Sequence, residues 1–355
     1  MITVNELFSG IGAQRAALER AGIEHKVVGI SEIDKYAIKS YEAIYGETRN
    51  YGDISKVDKL DYADFWTYSF PCTDISVAGQ QKGIVKGETR SGLLYEVQRL
   101  LEVAVHTHTQ PKWLMLENVK NLVGKKFRAQ FDEWCDWLDG IGYNTYWQVL
   151  NAKDYGVPQN RERVFAVSVR KDIDDGNFRF PDKKFLGIRL KDILEDEVDE
   201  KYYLSDKILR GFKAHNERHA EKGTGFIFKP RDTDGIASTI RANSSLCATD
   251  NAICIQAGSL NHYGNDQMNR VYSTGGISPT ITTVSGGGRE QKIQLHNSRV
   301  RRLTPLECWR LMGFTDEAFH KAEAVCSNSQ LYKQAGNSIV VDVLVGIFKN
   351  IFKED

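Results

Sequence analysis

The sequence predicts an α/β protein with a largely parallel, doubly wound sheet and a second, smaller β-rich domain. Over residues 1 to about 180, short apolar runs alternate with amphipathic stretches, a pattern typical of parallel sheets covered by helices. After Pro181 this alternation is lost, and the chain becomes first charge-rich and then rich in Gly, Ser, Thr and Asn. The length of 355 residues is sufficient for two domains.

The first domain is predicted to contain six strands, each an apolar run. They are Val4–Phe8, Lys26–Ile30, Asp64–Phe70, Trp113–Leu116, Asn144–Leu150 and Arg163–Ser168. Helices with apolar residues at helical spacing are predicted at Ala13–Ala21, Ala37–Tyr45, Glu96–Val105 and Phe127–Leu138. Gly22 is placed to end the first of these helices. A strongly apolar helix between Ser338 and Phe352 needs a large partner surface, so we expect it to pack back on the first domain.

The composition is that of an ordinary globular protein, with 41% hydrophobic and 26% charged residues. We expect no membrane span, because no apolar stretch approaches the required length, and no signal peptide, because a strand pattern begins directly after Met1. The six cysteines are scattered without CxxC pairs, which favours reduced thiols in the cytoplasm and argues against a zinc site. The formal net charge is zero, so nucleic-acid binding has to rest on local patches.

A cysteine stands where one predicted strand ends. Cys72 follows Pro71 directly, at the end of the apolar run that begins at Phe65. Ligands bind at the carboxyl ends of strands in open α/β sheets, so this thiol is a candidate nucleophile. A lone cysteine after a strand is more often a packed small hydrophobe.

Charged residues stand at two further strand ends. Glu117 closes the apolar run that starts at Trp113. Arg161 and Arg163 precede the apolar run that starts at Val164. Together with Cys72 they form the layout of an active site. Individually, a lone acid at a strand end is more often a surface residue, and the two arginines are also consistent with salt bridges.

The turn Phe8–Gly12 joins the first strand to the first helix, and its glycines let the backbone pass close to a ligand. The third glycine of the dinucleotide fingerprint is missing, with Arg15 in its place, which favours a nucleoside without phosphates over a pyrophosphate. Glu32 is placed to accept hydrogen bonds from ribose hydroxyls, and Asp53 from an adenine amino group. The alternative is a Gly-rich turn with surface acids.

Taken in order, these residues and several others form a series of motifs. The motifs are Phe8–Gly12, Ser31–Glu32, Gly52–Ile54, Phe70–Cys72, Thr89–Gly92, Glu117–Val119, Gln159–Arg163, Arg302–Cys308 and Gln334–Ser338. In this order and spacing the chain resembles the DNA (cytosine-5) methyltransferases over nearly its whole length. The resemblance implies S-adenosylmethionine as methyl donor. It also implies a class I S-adenosylmethionine methyltransferase fold, with a Rossmann-like mixed sheet and a smaller, irregular, β-rich target-recognition domain.

The resemblance also implies roles for the candidate residues. Cys72 would add to carbon 6 of cytosine, Glu117 would bind or protonate ring nitrogen 3, Arg163 would hold the ring carbonyl, and Arg161 would support Cys72 or its loop. The implied cofactor-binding residues are Phe8, Gly10, Gly12, Glu32, Asp53, Ile54, Pro71 and Asn337.

DNA contacts are expected from a mobile loop and from the second domain. The candidates are Ala78, Gln80, Gln267, Arg270, Thr280 and Arg301. Where this chain has Ala78, the family often has a serine, which puts loop-side hydrogen bonding to the orphan base in doubt. Gln267 matches the residue that enters the gap left by the flipped base.

The expected domain limits are 1–185 for catalysis and cofactor binding, 186–327 for target recognition, and 328–355 for a C-terminal helix returning to the first domain. The expected partner is double-stranded DNA. We expect a cytoplasmic monomer in a bacterium or phage-infected host, with a possible cognate restriction endonuclease not in direct contact. Alternatives are a tRNA cytosine-5 methyltransferase of the same fold and a catalytically inactive DNA-binding homologue. The missing third glycine argues against a nicotinamide-dependent reductase.

Overall fold

The computed structural model describes residues 1–72, 74–75, 83–202, 256–259, 270–273, 278–279, 292–294 and 300–352. In the short strands between residues 256 and 302, the described side chains are those of Val271 and Ser278.

The central sheet has six strands in the order β2-β1-β3-β4-β7-β5. Its strands are β1 (Ile2–Leu7), β2 (His25–Ser31), β3 (Phe65–Tyr68), β4 (Trp113–Val119), β5 (Tyr143–Asn151) and β7 (Glu162–Arg170). The strands β1 to β4 pair in parallel, whereas β7 lies antiparallel between β4 and β5. The sheet is therefore mixed, and all six predicted strands are present with shifted ends.

The helices predicted between the strands are also present. They are α1 (Ala13–Ala21), α2 (Lys35–Tyr45), α3 (Leu94–His106) and α4 (Arg128–Gly140). Gly22 ends α1 with a φ of 73°, and its N–H donates to the carbonyls of Leu18 and Glu19, as a left-handed capping glycine does. No described helix has the length and apolar character needed to cross a membrane.

The core lies on both faces of the sheet because its central strands are buried on both sides. In β3 every residue is buried, and successive side chains point to opposite faces. Phe65 thus joins one hydrophobic cluster with Trp309 and Phe348, while Trp66 joins the other with Phe131.

In the second half of the chain, the described residues form four helices. They are α5 (Pro305–Arg310), α6 (Asp316–Glu323), α7 (Asn328–Asn337) and α8 (Val341–Ile351). Helix α8 packs against α1, and the ring of Phe348 meets Phe65 edge-on with centroids 5.4 Å apart. The expectation that the apolar tail returns to the first domain is confirmed. Leu190 and Leu303, inside the region expected to recognise DNA, share the same core cluster. The domain limits stay a prediction.

The remaining described strands are short. They are β6 (Gln159–Asn160), β8 (Gln256–Ser259), β9 (Arg270–Ser273), β10 (Ser278–Pro279), β11 (Lys292–Gln294) and β12 (Val300–Arg302). Four of them form a small sheet in the order β12-β11-β9-β8. Strand β10 instead pairs in parallel with β6, and the Ser278 N–H donates to the carbonyl of Pro158 at 2.5 Å. This pairing brings a segment of the second half of the chain beside the residues that directly precede β7.

The packing of α8 predicts a large effect of a single core substitution. Leu344 is fully buried, so Leu344→Ala should lower the free energy of unfolding by about 2–5 kcal/mol through lost burial and a cavity. Lys349→Ala, on the exposed side of the same helix, should change it by less than about 0.5 kcal/mol. Denaturant unfolding measures both. Equal, small effects would contradict the packing of α8 on the core.

Candidate active site

The direction of the strands brings the candidate residues to one edge of the sheet. Leu7, Tyr68 and Leu116 lie side by side in β1, β3 and β4, so the residues that follow them emerge together. Strand β7 runs the opposite way, so its first residues reach the same edge, with Arg163 opposite Val119. The amino end of one strand therefore meets the carboxyl ends of three others.

Cys72 lies in the loop after β3, four residues beyond Tyr68, and is half-buried. Side chains from two neighbouring segments hold the backbone before it. The Asn118 amide donates to the carbonyl of Phe70 at 2.9 Å, and the Ser91 hydroxyl donates to the carbonyl of Pro71 at 2.7 Å. Because Asn118 is part of β4, the thiol has a fixed position relative to the strand that carries Glu117.

Glu117 and Arg163 form a buried ion pair across the ladder between β4 and β7. Arg163 Nε lies 3.3 Å from Glu117 Oε1, and the two side chains are 16% and 9% exposed. A second guanidinium, that of Arg161, is 4% exposed. Its Nη2 donates to the carbonyls of Gly336 at 3.1 Å and Ser338 at 2.7 Å. Arg161 thus fixes the chain on both sides of Asn337, whose side chain is exposed.

These groups alter one another's acidity. Burial raises the pKa of Cys72 above its usual range, Arg163 and Arg161 counteract this, and Glu117 adds to it. Burial likewise raises the pKa of Glu117, against the two arginines. Burial and the like charge of Arg163 lower the pKa of Arg161 to about 9. The thiol, the acid and both guanidinium groups therefore interact as one cluster.

The turn after β1 has the backbone conformation that its glycines predict. Gly10 and Gly12 have φ angles of 56° and 78°, and Phe8, which is not a glycine, has 57°. A Cβ added to Gly10 would meet no atom within 4 Å, so the turn borders open space. The Gly10 N–H donates to Glu32 Oε2 at 2.9 Å, which joins the turn after β1 to the end of β2.

Asn50 links the other two candidate segments for the cofactor. Its Oδ1 accepts from the N–H of Glu32 at 3.2 Å and from that of Gly52 at 2.9 Å, and its amide donates to the Glu32 carbonyl. Asp53 caps the short 3₁₀ turn that begins at Ile54, with its Oδ1 accepting from the N–H and hydroxyl of Ser55. The segment after β2, which carries Glu32, and the segment before Ile54, which carries Asp53, are thus held in one frame.

This frame fits an uncharged nucleoside better than a phosphate. Glu32 and Asp53 are both partly exposed carboxylates, which accept hydrogen bonds from hydroxyl and amino groups. Ile54 is buried beneath Asp53. Within the described residues, no cluster of His, Cys, Asp and Glu could hold a metal ion.

Several predicted DNA-binding residues lie outside the described residues. They are Ala78, Gln80, Gln267 and Thr280. Arg270 and Arg301 are placed by their backbones alone, in β9 and β12 of the small sheet.

The sequence analysis did not identify the roles of Ser91, Asn118 and Asn50. The first two stand in motifs already noted, and position beside Glu117 was the available signal for Asn118. Asn50 has no local signal, because its role depends on a parallel bridge to Ile30, twenty residues earlier.

Comparison with known proteins shows the family of the chain. The family model for C-5 cytosine-specific DNA methylase matches residues 2–353. The Type II methyltransferase M2.ScrFI of Lactococcus lactis subsp. cremoris is 35% identical, with 99% of each chain covered. The orphan methyltransferase M.SPBetaI of Bacillus phage SPbeta is 33% identical, covering 99% of this chain and 97% of the relative.

Solved structures show the same fold. The Entamoeba histolytica methyltransferase EhMeth superposes with a TM-score of 0.68 at 16% identity, over 99% of this chain and 98% of the other. The S. pombe Dnmt2 methyltransferase gives 0.65 at 18% identity, over 98% and 97%. From the match along almost its entire length, the chain belongs to the C-5 cytosine-specific DNA methylase family.

Proposed function

We propose that the chain transfers a methyl group from S-adenosylmethionine to carbon 5 of a flipped-out cytosine in a specific short site of double-stranded DNA. The reaction passes through a covalent adduct of Cys72. The observation that carries this proposal is the position of Cys72 beside the buried Glu117–Arg163 pair, at the sheet edge where the glycine turn also lies.

The first step is addition of the Cys72 thiolate to carbon 6, which forms a C–S bond and moves electron density to carbon 5. S-adenosylmethionine would supply an electrophilic methyl group: its S–CH3 bond breaks as the methyl carbon bonds to carbon 5, and S-adenosylhomocysteine leaves. The carbon 5 proton leaves to a base or water, and the C–S bond to Cys72 breaks. Arg163 and Arg161 stabilise the thiolate against the cost of burial.

Glu117 acts on the pyrimidine ring. Burial raises its pKa, which favours the protonated acid that ring nitrogen 3 requires when charge develops on the base. Arg163, which contacts Glu117, would donate to the ring carbonyl oxygen. Arg161 would stabilise the site by holding the backbone around Asn337, through its hydrogen bonds to the carbonyls of Gly336 and Ser338.

Glu32, Asp53, Ile54, Pro71 and Asn337, with the turn Phe8–Gly12, would hold the cofactor. What supports this is the shared frame of hydrogen bonds and the open space beside Gly10. The methionyl and adenosyl parts need no phosphate-binding turn, in agreement with Arg15 at the position of the third glycine.

The target base has to leave the duplex, because carbon 5 and carbon 6 cannot be attacked within the stack. Residues 186–327 are proposed to read the sequence, with Gln267 entering the gap and Ala78 and Gln80 on the catalytic loop. Arg270, Thr280 and Arg301 would contact the DNA. The pairing of β10 with β6, directly before Arg161, supports an approach of this region to the site. A monomer in the cytoplasm, without a directly bound endonuclease, completes the proposal.

Cys72→Ser should abolish the covalent complex with DNA containing 5-fluorocytosine in the presence of S-adenosylmethionine. Fluorine is not eliminated as a proton is, so the wild-type adduct should persist in a denaturing gel. Since burial raises the pKa of Cys72, adduct formation should accelerate as the pH rises and the thiolate fraction grows.

Cys135→Ser is the matched control, because Cys135 is a half-buried thiol on α4 whose pKa burial raises to about 12. It should keep the adduct. An adduct with Cys72→Ser would reject Cys72 as nucleophile, and a wild type that reacts only with tRNA would favour the tRNA enzyme. A wild type that binds DNA without reacting would favour an inactive homologue.

Glu32→Ala and Asp53→Ala should each weaken S-adenosylmethionine binding, by about 1.5–3 kcal/mol for a lost charge-assisted hydrogen bond. DNA affinity should be unchanged. Titration calorimetry measures the first and gel shift the second. Asp58→Ala, an exposed acid five residues from Asp53, should bind the cofactor normally. Unchanged cofactor affinity in both test variants would place the cofactor elsewhere.

Gln267→Ala should reduce methylation at the native sites, because the gap beside the flipped base would be left unfilled. Arg301→Ala should instead weaken binding to all sequences alike and reduce its salt dependence. A methylome of cells expressing each variant distinguishes the two. Full activity with unchanged site choice in Gln267→Ala would move the flipping role to the loop around Ala78 and Gln80.

A further inference from the structure

A buried cluster of ionisable and aromatic side chains lies next to the glycine turn, and the proposed reaction does not use it. Glu6, in β1, is fully buried, and the hydroxyl of Tyr41 in α2 donates a 2.7 Å hydrogen bond to its Oε2. Arg15, in the first turn of α1, has its guanidinium carbon 4.8 Å from the ring centroid of Tyr45 and 5.9 Å from that of Tyr41. The cluster therefore connects β1, α1 and α2.

The two tyrosine rings also abut the turn. The Tyr45 hydroxyl donates to the carbonyl of Gly12 at 2.9 Å. A Cβ added to Gly12 would lie 2.5 Å from the Tyr45 ring and 2.8 Å from the Tyr41 ring. The two rings therefore occupy the space that a side chain at position 12 would need, and the Tyr45 hydroxyl anchors the Gly12 carbonyl, two residues from the N–H that Gly10 donates to Glu32.

We propose that Glu6 is a positioning residue for the cofactor, which holds the Gly10–Gly12 turn in its binding shape through Tyr41 and Tyr45. This inference rests on the proposed use of S-adenosylmethionine. It also explains the residue at the third position of the fingerprint: Arg15 balances the charge of Glu6 and covers the rings that support the turn.

The fold retains Glu6 at a cost to stability. Burial raises its pKa from 4.5 to about 7; the hydrogen bond from Tyr41 and the charge and N–H of Arg15 act the other way, and Glu19 acts with burial. The folded protein thus binds this proton more tightly than the unfolded chain, so stability is lost as the pH rises from 4.5 through about 7. Glutamine in place of Glu6 would avoid that loss while keeping the shape of the side chain.

Glu6→Gln tests the inference, since it keeps the shape and removes the charge. At pH 8 the dissociation constants of S-adenosylmethionine and S-adenosylhomocysteine should both rise about three- to tenfold, the loss of roughly one hydrogen bond's strength. The thermal midpoint should stay equal or rise. At pH 6, where wild-type Glu6 is mostly protonated, the difference in affinity should shrink.

Two further variants sharpen the test. Tyr45→Phe keeps the ring and removes the hydroxyl from the Gly12 carbonyl, so it should weaken both ligands at pH 6 and pH 8 alike. Glu19→Gln removes the surface partner of Arg15, at 3.4 Å, and leaves the bond between Glu6 and Tyr41 intact. It should bind both ligands as the wild type does.

The outcomes separate the inference from the proposed function. A wild type that binds neither ligand overturns both, whereas equal affinities for the wild type and Glu6→Gln at pH 8 overturn the inference alone. A loss confined to S-adenosylmethionine would mean attraction to its sulfonium charge and would reject positioning. A fall in thermal midpoint together with affinity would reduce Glu6 to a structural residue.

Discussion

The antiparallel pairing of β7 beside β4 is the constraint on which the site depends. In an all-parallel sheet, the residues that begin β7 would lie at the opposite edge from the loop after β3. Because β7 runs the other way, Arg163 lies opposite Val119, two residues from Glu117. One reversal of strand direction thus brings the cations to the edge where the thiol and the acid emerge.

Burying any one of the four ionisable groups at this edge alone would cost much free energy, whereas together they partly compensate one another. The four are Cys72, Glu117, Arg161 and Arg163. A buried carboxylate without a partner is protonated or destabilising, and a buried guanidinium without a partner is destabilising because it stays charged. Here Arg163 pairs with Glu117, while Arg161 is satisfied in part by the carbonyls of Gly336 and Ser338. Removing one partner leaves another buried charge exposed to the full cost of desolvation, so the members of the cluster cannot be expected to contribute independently.

The sequence was sufficient to predict the strands and helices of the first domain, because long apolar runs and helical periodicity are local signals. Helix α1 was predicted with the ends it has, since Gly22 caps it. The predicted strand to Phe70 ends at Tyr68, because the carbonyl of Phe70 accepts from the side-chain amide of Asn118 and not from a backbone N–H of β4.

The pairing of side chains within the site was less accessible to sequence reasoning. That Cys72, Glu117 and Arg163 belong together was predicted from strand ends and from the family resemblance. That Arg163 pairs with Glu117 follows from the register of β4 and β7, which no local pattern specifies. Glu6 was missed for a related reason. From the sequence alone, an acid in a strand is expected on the surface. Glu6 is buried because Tyr41 of α2 packs on it and donates a hydrogen bond to its carboxylate, which no local pattern predicts.

Both borders of the long stretch of chain between residues 202 and 303 are held by the same part of the core. Tyr202 lies at the start of this stretch and Leu303 at its end, and both residues belong to the same core cluster. Asn328 donates to the Tyr202 hydroxyl at 2.9 Å, and the Tyr332 hydroxyl donates to the carbonyl of Leu303 at 2.5 Å. Helix α7 therefore holds both borders, and the entropy of closing the intervening chain grows only slowly with its length. Since α7 also ends at Asn337, between the two carbonyls that accept from Arg161, the same helix joins the borders of this stretch to the candidate site.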